Sequence, residues 1–351
     1  MDRFATAVLM GVLEDLRRPS SFLLDTFFPG VFESDTEEIH FDVLTNKRRI
    51  TPLVHPTRAG KIVDNKSYAA KTFKPAYAKD KRRWDPTAPL KRMAGERIGG
   101  QLTAAQRLDA LVSQALADQL EMLTMREEVM ASEALRTGTV TIAGEGYEPV
   151  VVDFERAGTH TDQLTDTDCW DVAADTSTAD PLNDIETRSG LCQQDAGGIG
   201  RVVVMSPDAW KNMKRRLGEK GQLRQLFDYS RSGNANVQLG PLTDSNGGRY
   251  VGSIGQFDFW VYDQTYVDDN GATQHLMPSG TVIMGDQSIE GVRAYGAILD
   301  PKANYKATRY FAKSWEEEDP AVRWMMLQSA PLIVPTRPNA SVCFNVLTPA
   351  E

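Results

Sequence analysis

The stretch whose reading decides the fold is QLTAAQRLDALVSQALADQLEMLTMREEVMASEALRTG, residues 101–138. Leu108, Leu111, Val112, Ala115, Leu116, Leu120, Leu123, Val129 and Met130 recur at three- and four-residue steps, which puts them on one stripe of a helix. Thr103 is placed to cap the N-terminus, with Gln106 as its capping-box partner. Gly138 suits the left-handed residue that ends a helix, and neither proline nor glycine interrupts before it. At about 1.5 Å per residue such a helix runs about 50 Å, longer than a compact domain of this size requires. The stripe drifts and keeps no clean a/d heptad, so a spine carrying other segments is favoured over a coiled coil.

Around this spine the chain has 351 residues, 41% hydrophobic and 25% charged, enough for about two domains with a sizeable core. No apolar run approaches the ~18 residues that cross a bilayer. The N-terminal MDRFATAVLMGVLEDLRRPSS carries acids and lacks a cleavage context, which argues against a signal peptide. Cys169, Cys192 and Cys343 are scattered, which suits a reducing compartment and supports neither a disulfide framework nor a zinc site. Charge is unevenly placed. Residues 55–97 hold twelve Lys/Arg against four acids, or +8, so within a net −9 the rest of the chain carries −17. A basic segment on an acidic body can bind nucleic acid or the acidic face of another copy.

In chain order, a short helix is expected over about 4–16, followed by the apolar segment Phe22 to Phe28 and a Pro29-Gly30 turn. Alternation from Ile39 to Val43 predicts a strand leading into a hairpin. Residues 55–97 show no useful helical or strand period. Basic residues interleave there with Tyr68, Phe73, Tyr77 and Trp84, and prolines punctuate them, which predicts an extended loop that docks on something. After the spine, 139–142 and 147–154 read as a hairpin. Residues 157–180 read as a solvated polar loop. DTDCWDVAADTSTAD lacks the glycine and terminal glutamate of a calcium loop. Helices are expected from Asp180-Pro181 to about Gln193, from Ser206-Pro207, and over 223–229. Strands are expected at 201–205, 250–254, 257–262, 281–284 and 291–299, and again at 323–328, 331–335 and 341–347. The pattern predicts an α+β protein in which the spine packs on one sheet built from 139–154 and 320–347.

No chemistry-bearing motif accompanies this architecture. There is no G-x-S-x-G, P-loop or H-E-x-x-H, and the four histidines, at 40, 55, 160 and 275, are scattered. Gly197-Gly198-x-Gly200 precedes a strand, unlike a dinucleotide fingerprint. No catalytic residue, metal ligand or cofactor is expected.

Several stretches resemble the lambda-type phage major capsid protein E family. They are LLDTFFPGVFESDTEEIHFDVL at 23–44, TGTVTIAGEGYEPVVVDFER at 137–156, NDIET at 183–187 and VVVMSPDAW at 202–210. LMPSGTVIMGD at 276–286, GVRAYGAILDP at 291–301 and DPAVRWMMLQSAPLIVP at 319–335 continue the series. The resemblance implies a Hong Kong 97-type capsid fold. It would place an N-terminal arm at 1–37, an extended loop at 38–100, a peripheral domain at 101–155 and 302–351, and an axial domain at 156–301. It further implies hexamers and pentamers in an icosahedral virion shell around DNA, with no membrane, and with scaffold, portal and possibly decoration proteins as partners. An encapsulin-type bacterial compartment shares the fold and is the alternative. In such a shell the loop would lie over the next copy, and Arg58, Lys61, Tyr68, Phe73, Tyr77, Lys81, Arg82, Arg83 and Trp84 are the expected subunit contacts.

Overall fold

The computed structural model describes residues 5–16, 19, 21–36, 38–43, 50–59, 69–84, 87, 90–91, 102–144, 146–173, 175–222, 247–318 and 322–349. The helices are α1 (Thr6–Asp15), α2 (Phe22–Phe27), α3 (Ala104–Thr137), α4 (Pro181–Asp195) and α5 (Pro207–Glu219). The spine α3 is a single 34-residue helix. Its capping box forms as expected: Gln106 N donates to Thr103 Oγ1 and Thr103 N donates to Gln106 Oε1. Gly138 ends it in the left-handed region, at φ 74°.

The largest sheet has six strands, in the order 161–163, 342–345, 281–285, 202–205, 257–261 and 249–254. Because side chains alternate across a strand, this sheet feeds two cores. Val203, Met205, Val282, Met284, Val342 and Phe344 face α4 and α5, which contribute Ile185, Cys192, Ala209, Met213 and Leu217. Val204, Ile283 and Cys343 face the opposite way, into a cluster with α2, α3 and the hairpin 139–153. In that cluster Phe22, Leu23, Leu24, Phe27 and Phe28 are all buried. Each such side chain stabilises by about 1.5–3 kcal/mol on burial. The apolar segment after α1 is therefore a plug in the chain's own core. A third cluster joins Leu9 and Leu13 of α1 to Val112, Leu116, Leu120 and Leu123 of α3 and to Ala312, Met325 and Leu327.

Four expectations need correction. The spine does not lie on one sheet. It packs against the separate hairpin of strands 139–144 and 147–153, against strand 331–335 of a sheet shared with 291–295 and 30–33, against 342–345 of the six-stranded sheet, and against 322–329 of another. Strand 342–345 lies against the spine as expected, but it belongs to the six-stranded sheet, paired with 281–285 on one side and 161–163 on the other. The stretch 55–97 is not devoid of strands. Residues 69–73 pair with 39–43, and 78–84 pair with 322–329. The polar segment 157–180 is not simply solvated, because Cys169 and Trp170 are fully buried and the Trp170 indole donates to Asp184 Oδ2 at 2.9 Å. The expected helix over 223–229 lies outside the described residues.

Candidate interaction surface

Four of the nine expected contact residues, Lys81, Arg82, Arg83 and Trp84, lie on one strand, and Tyr77 stands just before it. Strand 78–84 is the outer member of the order 311–317, 322–329, 78–84, all antiparallel. Its sequence, AKDKRRW, carries no apolar alternation. The alternation is nonetheless present as burial, with even-numbered residues half-buried and odd-numbered ones exposed. The even face looks toward the spine. Arg82 Nε lies 3.3 Å from Asp80 Oδ2, and its Nη1 lies 3.3 Å from Asp118 of α3. Gln119 Nε2 donates to the Asp80 carbonyl at 3.1 Å, and Trp84 packs on the α1–α3 cluster. Arg82 and Trp84 are thus engaged within the chain.

The odd face looks outward. Pairing aligns Arg83 with Trp324 and Lys81 with Met326, while on the next strand Trp315 faces Trp324 and Lys313 faces Met326. The Lys81 ammonium lies 3.8 Å from the Trp324 ring centre and 5.3 Å from that of Trp315. Lys79 lies 4.8 Å from the centre of Tyr77. Each contact contributes about 0.5–1 kcal/mol at an exposed site. Neither Lys79 nor Lys81 forms an ion pair among the described residues, so both charges remain available to a partner.

A buried polar network fixes the base of this strand. Tyr77 Oη donates to Gln328 Oε1 at 2.8 Å and accepts from Leu299 N at 3.0 Å. Gln328 Nε2 donates to Asp300 Oδ2 at 3.0 Å, and the Lys313 ammonium pairs with the same oxygen. Burial opposes the Asp300 charge, but Lys313, Gln328 and the Lys302 amide together hold its pKa below the ordinary value. Of the other expected contacts, Arg58 is exposed in a turn closed by its amide to the His55 carbonyl, and Phe73 is half-buried against the main cluster. Lys61 and Tyr68 lie outside the described residues.

The buried titratable groups elsewhere have structural roles. His160 sits between the Ser341 carbonyl and Asp195, each at 3.0 Å. Burial pushes the Cys192 thiol up to about 12 and the Cys343 thiol to about 11, which disfavours the reactive thiolate. Among the described residues no cluster of His, Cys, Asp or Glu could hold a metal ion, and no helix is long and apolar enough to cross a membrane.

A long capped spine, a strand-rich layer laid along it and a separate six-stranded sheet with its own helices define a Hong Kong 97-type capsid fold. Residues 5–346 match the model of the phage major capsid protein E family, and the chain belongs to that family. It is 27% identical to the major capsid protein of Escherichia phage N15 over 97% of this chain and 98% of that one. It is 26% identical to the major capsid protein of Escherichia phage lambda, again over 97% of this chain and 98% of that one. Among solved structures, a prophage capsid protein of E. coli CFT073 superposes with a TM-score of 0.73 at 24% identity, covering 97% of this chain and 98% of the other. The protein is a phage major capsid protein and a component of the virion, which decides against the bacterial compartment.

Proposed function

We propose that the chain is an assembly subunit without catalytic turnover. It closes as hexamers and pentamers into an icosahedral shell around double-stranded DNA, with scaffold, portal and decoration proteins as separate partners. Within that shell the outward face bearing Lys79, Lys81 and Arg83 meets an acidic surface of a neighbouring copy. The carrying observation is the position of Lys79 and Lys81, held over aromatic rings without a carboxylate partner among the described residues, in a chain whose remainder is strongly acidic. Exposed ion pairs contribute only about 0–1 kcal/mol each, so half-buried Trp315, Trp324 and Met326 would supply much of the contact energy and the charges the register.

The test is the double reversal Lys79→Glu with Lys81→Glu. The expected outcome is a subunit that keeps its circular dichroism and melting transition but forms no closed shells in electron microscopy. Normal shells that lose only their DNA would place this face against the genome and overturn the assignment.

A further inference from the structure

A buried carboxylate stands farther along the spine than the residues that meet strand 78–84. Glu128 is 2% exposed, in the C-terminal third of α3, and among the described residues no basic side chain pairs with it. Its carboxylate is held by three donors instead. Oε1 accepts from Leu23 N at 2.7 Å and from Tyr262 Oη at 2.7 Å, while Oε2 accepts from Leu24 N at 3.1 Å. The two amides are the second and third of α2, whose N-cap residue Ser21 makes no side-chain cap, so Glu128 caps that helix from outside. Phe22 covers the site, with its ring 5.3 Å from Tyr262 and 5.2 Å from Trp260.

The hydrogen count at Tyr262 is one short. Its hydroxyl faces Glu128 Oε1 at 2.7 Å and Gln264 Oε1 at 3.1 Å, and both are acceptors. A hydroxyl carries one proton, so with Glu128 ionised Tyr262 serves only one of the two acceptors and half-exposed Gln264 is left to water. A proton on Glu128 Oε1 completes the set: Glu128 donates to Tyr262 Oη, Tyr262 donates to Gln264, and the α2 amides keep their acceptors. The other charged groups here are acidic or already paired. Asp25 of α2 bonds Arg293 at 2.6 Å, and Glu127 neighbours Glu128 on the spine.

We infer that Glu128 is a proton-linked lock, joining the arm segment at 21–28 to the spine and to Tyr262 of the axial sheet, and that proton uptake reverses the Glu128–Tyr262 hydrogen bond and tightens the junction. Burial supports this by pushing the Glu128 pKa above its ordinary 4.5, with Asp25 adding to the rise against the pull of the Leu23 and Leu24 amides and Tyr262. The sign follows directly. Between 4.5 and the raised value the folded chain binds a proton that the unfolded chain does not. Stability therefore rises as pH falls through that window and levels off near its lower end.

The test compares melting of the full chain with that of Glu128→Gln across pH, since glutamine cannot titrate and shares all other pH effects. The expected result is that wild type gains on Glu128→Gln as pH falls, then runs parallel to it near the ordinary carboxylate range. A difference that is flat with pH, or that shrinks on acidification, overturns the inference. Two further variants address the wiring. Tyr262→Phe removes a donor to the carboxylate and should raise the upper end of the window by about one pH unit, a tenfold gain in proton affinity in the folded chain. Gln264→Leu removes the competing acceptor and should move it down. No displacement in either variant would overturn the proposed relay.

Discussion

Arg156 offers the sharpest quantitative test of how the spine is tied to the rest of the fold. It follows the hairpin and reaches back to the end of α3. Its Nη1 donates to the Leu135 carbonyl at 2.5 Å, and its Nη2 donates to the Arg136 carbonyl and, at 2.5 Å, to Thr161 Oγ1. Leu135 and Arg136 belong to the last turn, whose carbonyls have no partner within the helix, and a cation there also meets the negative end of the helix dipole. Burial lowers the Arg156 pKa, so this charge is held at a cost that its bonds must offset. Arg156→Ala leaves two carbonyls without their donor, each worth about 1–3 kcal/mol, while exposed Thr161 turns to water. The expected loss is about 2–6 kcal/mol, read as a lower urea midpoint at unchanged slope. Arg156→Lys should recover part of it, because one ammonium can reach one carbonyl but cannot fork between two. A loss within about 0.5 kcal/mol for Arg156→Ala would mean that water replaces the clasp and would refute the reasoning.

Two further predictions use the same measurements. Leu116 is fully buried between α1 and the sheet at 311–329, so Leu116→Ala should cost about 2–5 kcal/mol. Leu116→Pro should cost about 3 kcal/mol or more from the broken helix alone, with the helical circular dichroism reporting the break. Asp300, whose pKa is depressed, stabilises above its ordinary 3.8 and loses that contribution as pH falls through its lower folded value. Asp300→Asn should therefore flatten the acid limb of the melting curve and destabilise at neutral pH.

The spine was legible because its signals are local. The stripe, the Thr103–Gln106 cap and Gly138 all lie within a few residues of what they specify. The strands of the six-stranded sheet were legible for the same reason, since Val202 to Met205 and Thr281 to Gly285 are short apolar runs bounded by turn residues. Their partners were not. The expected sheet under the spine was a guess at pairing, and pairing is decided by which faces can be covered. Strand 342–345 joins 281–285 because Val342 and Phe344 complete the cluster under α4 and α5 on one side while Cys343 reaches the spine's cluster on the other. Nothing in four residues of sequence distinguishes that sheet from its neighbour.

Strand 78–84 was illegible for a more instructive reason. Period-two reading looks for apolar residues on one face, and AKDKRRW offers only Ala78 and Trp84. The buried face is built instead from Asp80 and Arg82, which pair with each other and with Asp118 and Gln119 of the spine. On the exposed face the Lys81 charge rests on aromatic rings of the sheet's other two strands, and that of Lys79 on Tyr77 just before its own. Amphipathic cations thus do on this edge what valines do in a core strand, at smaller gain per residue. Their charge also guards the outer edge of a three-stranded sheet against indiscriminate pairing with other strands. The basic stretch that composition marks as a docking element is therefore anchored through 78–84 within its own subunit, and in the proposed shell Lys79 and Lys81 are the cations that would select a neighbour.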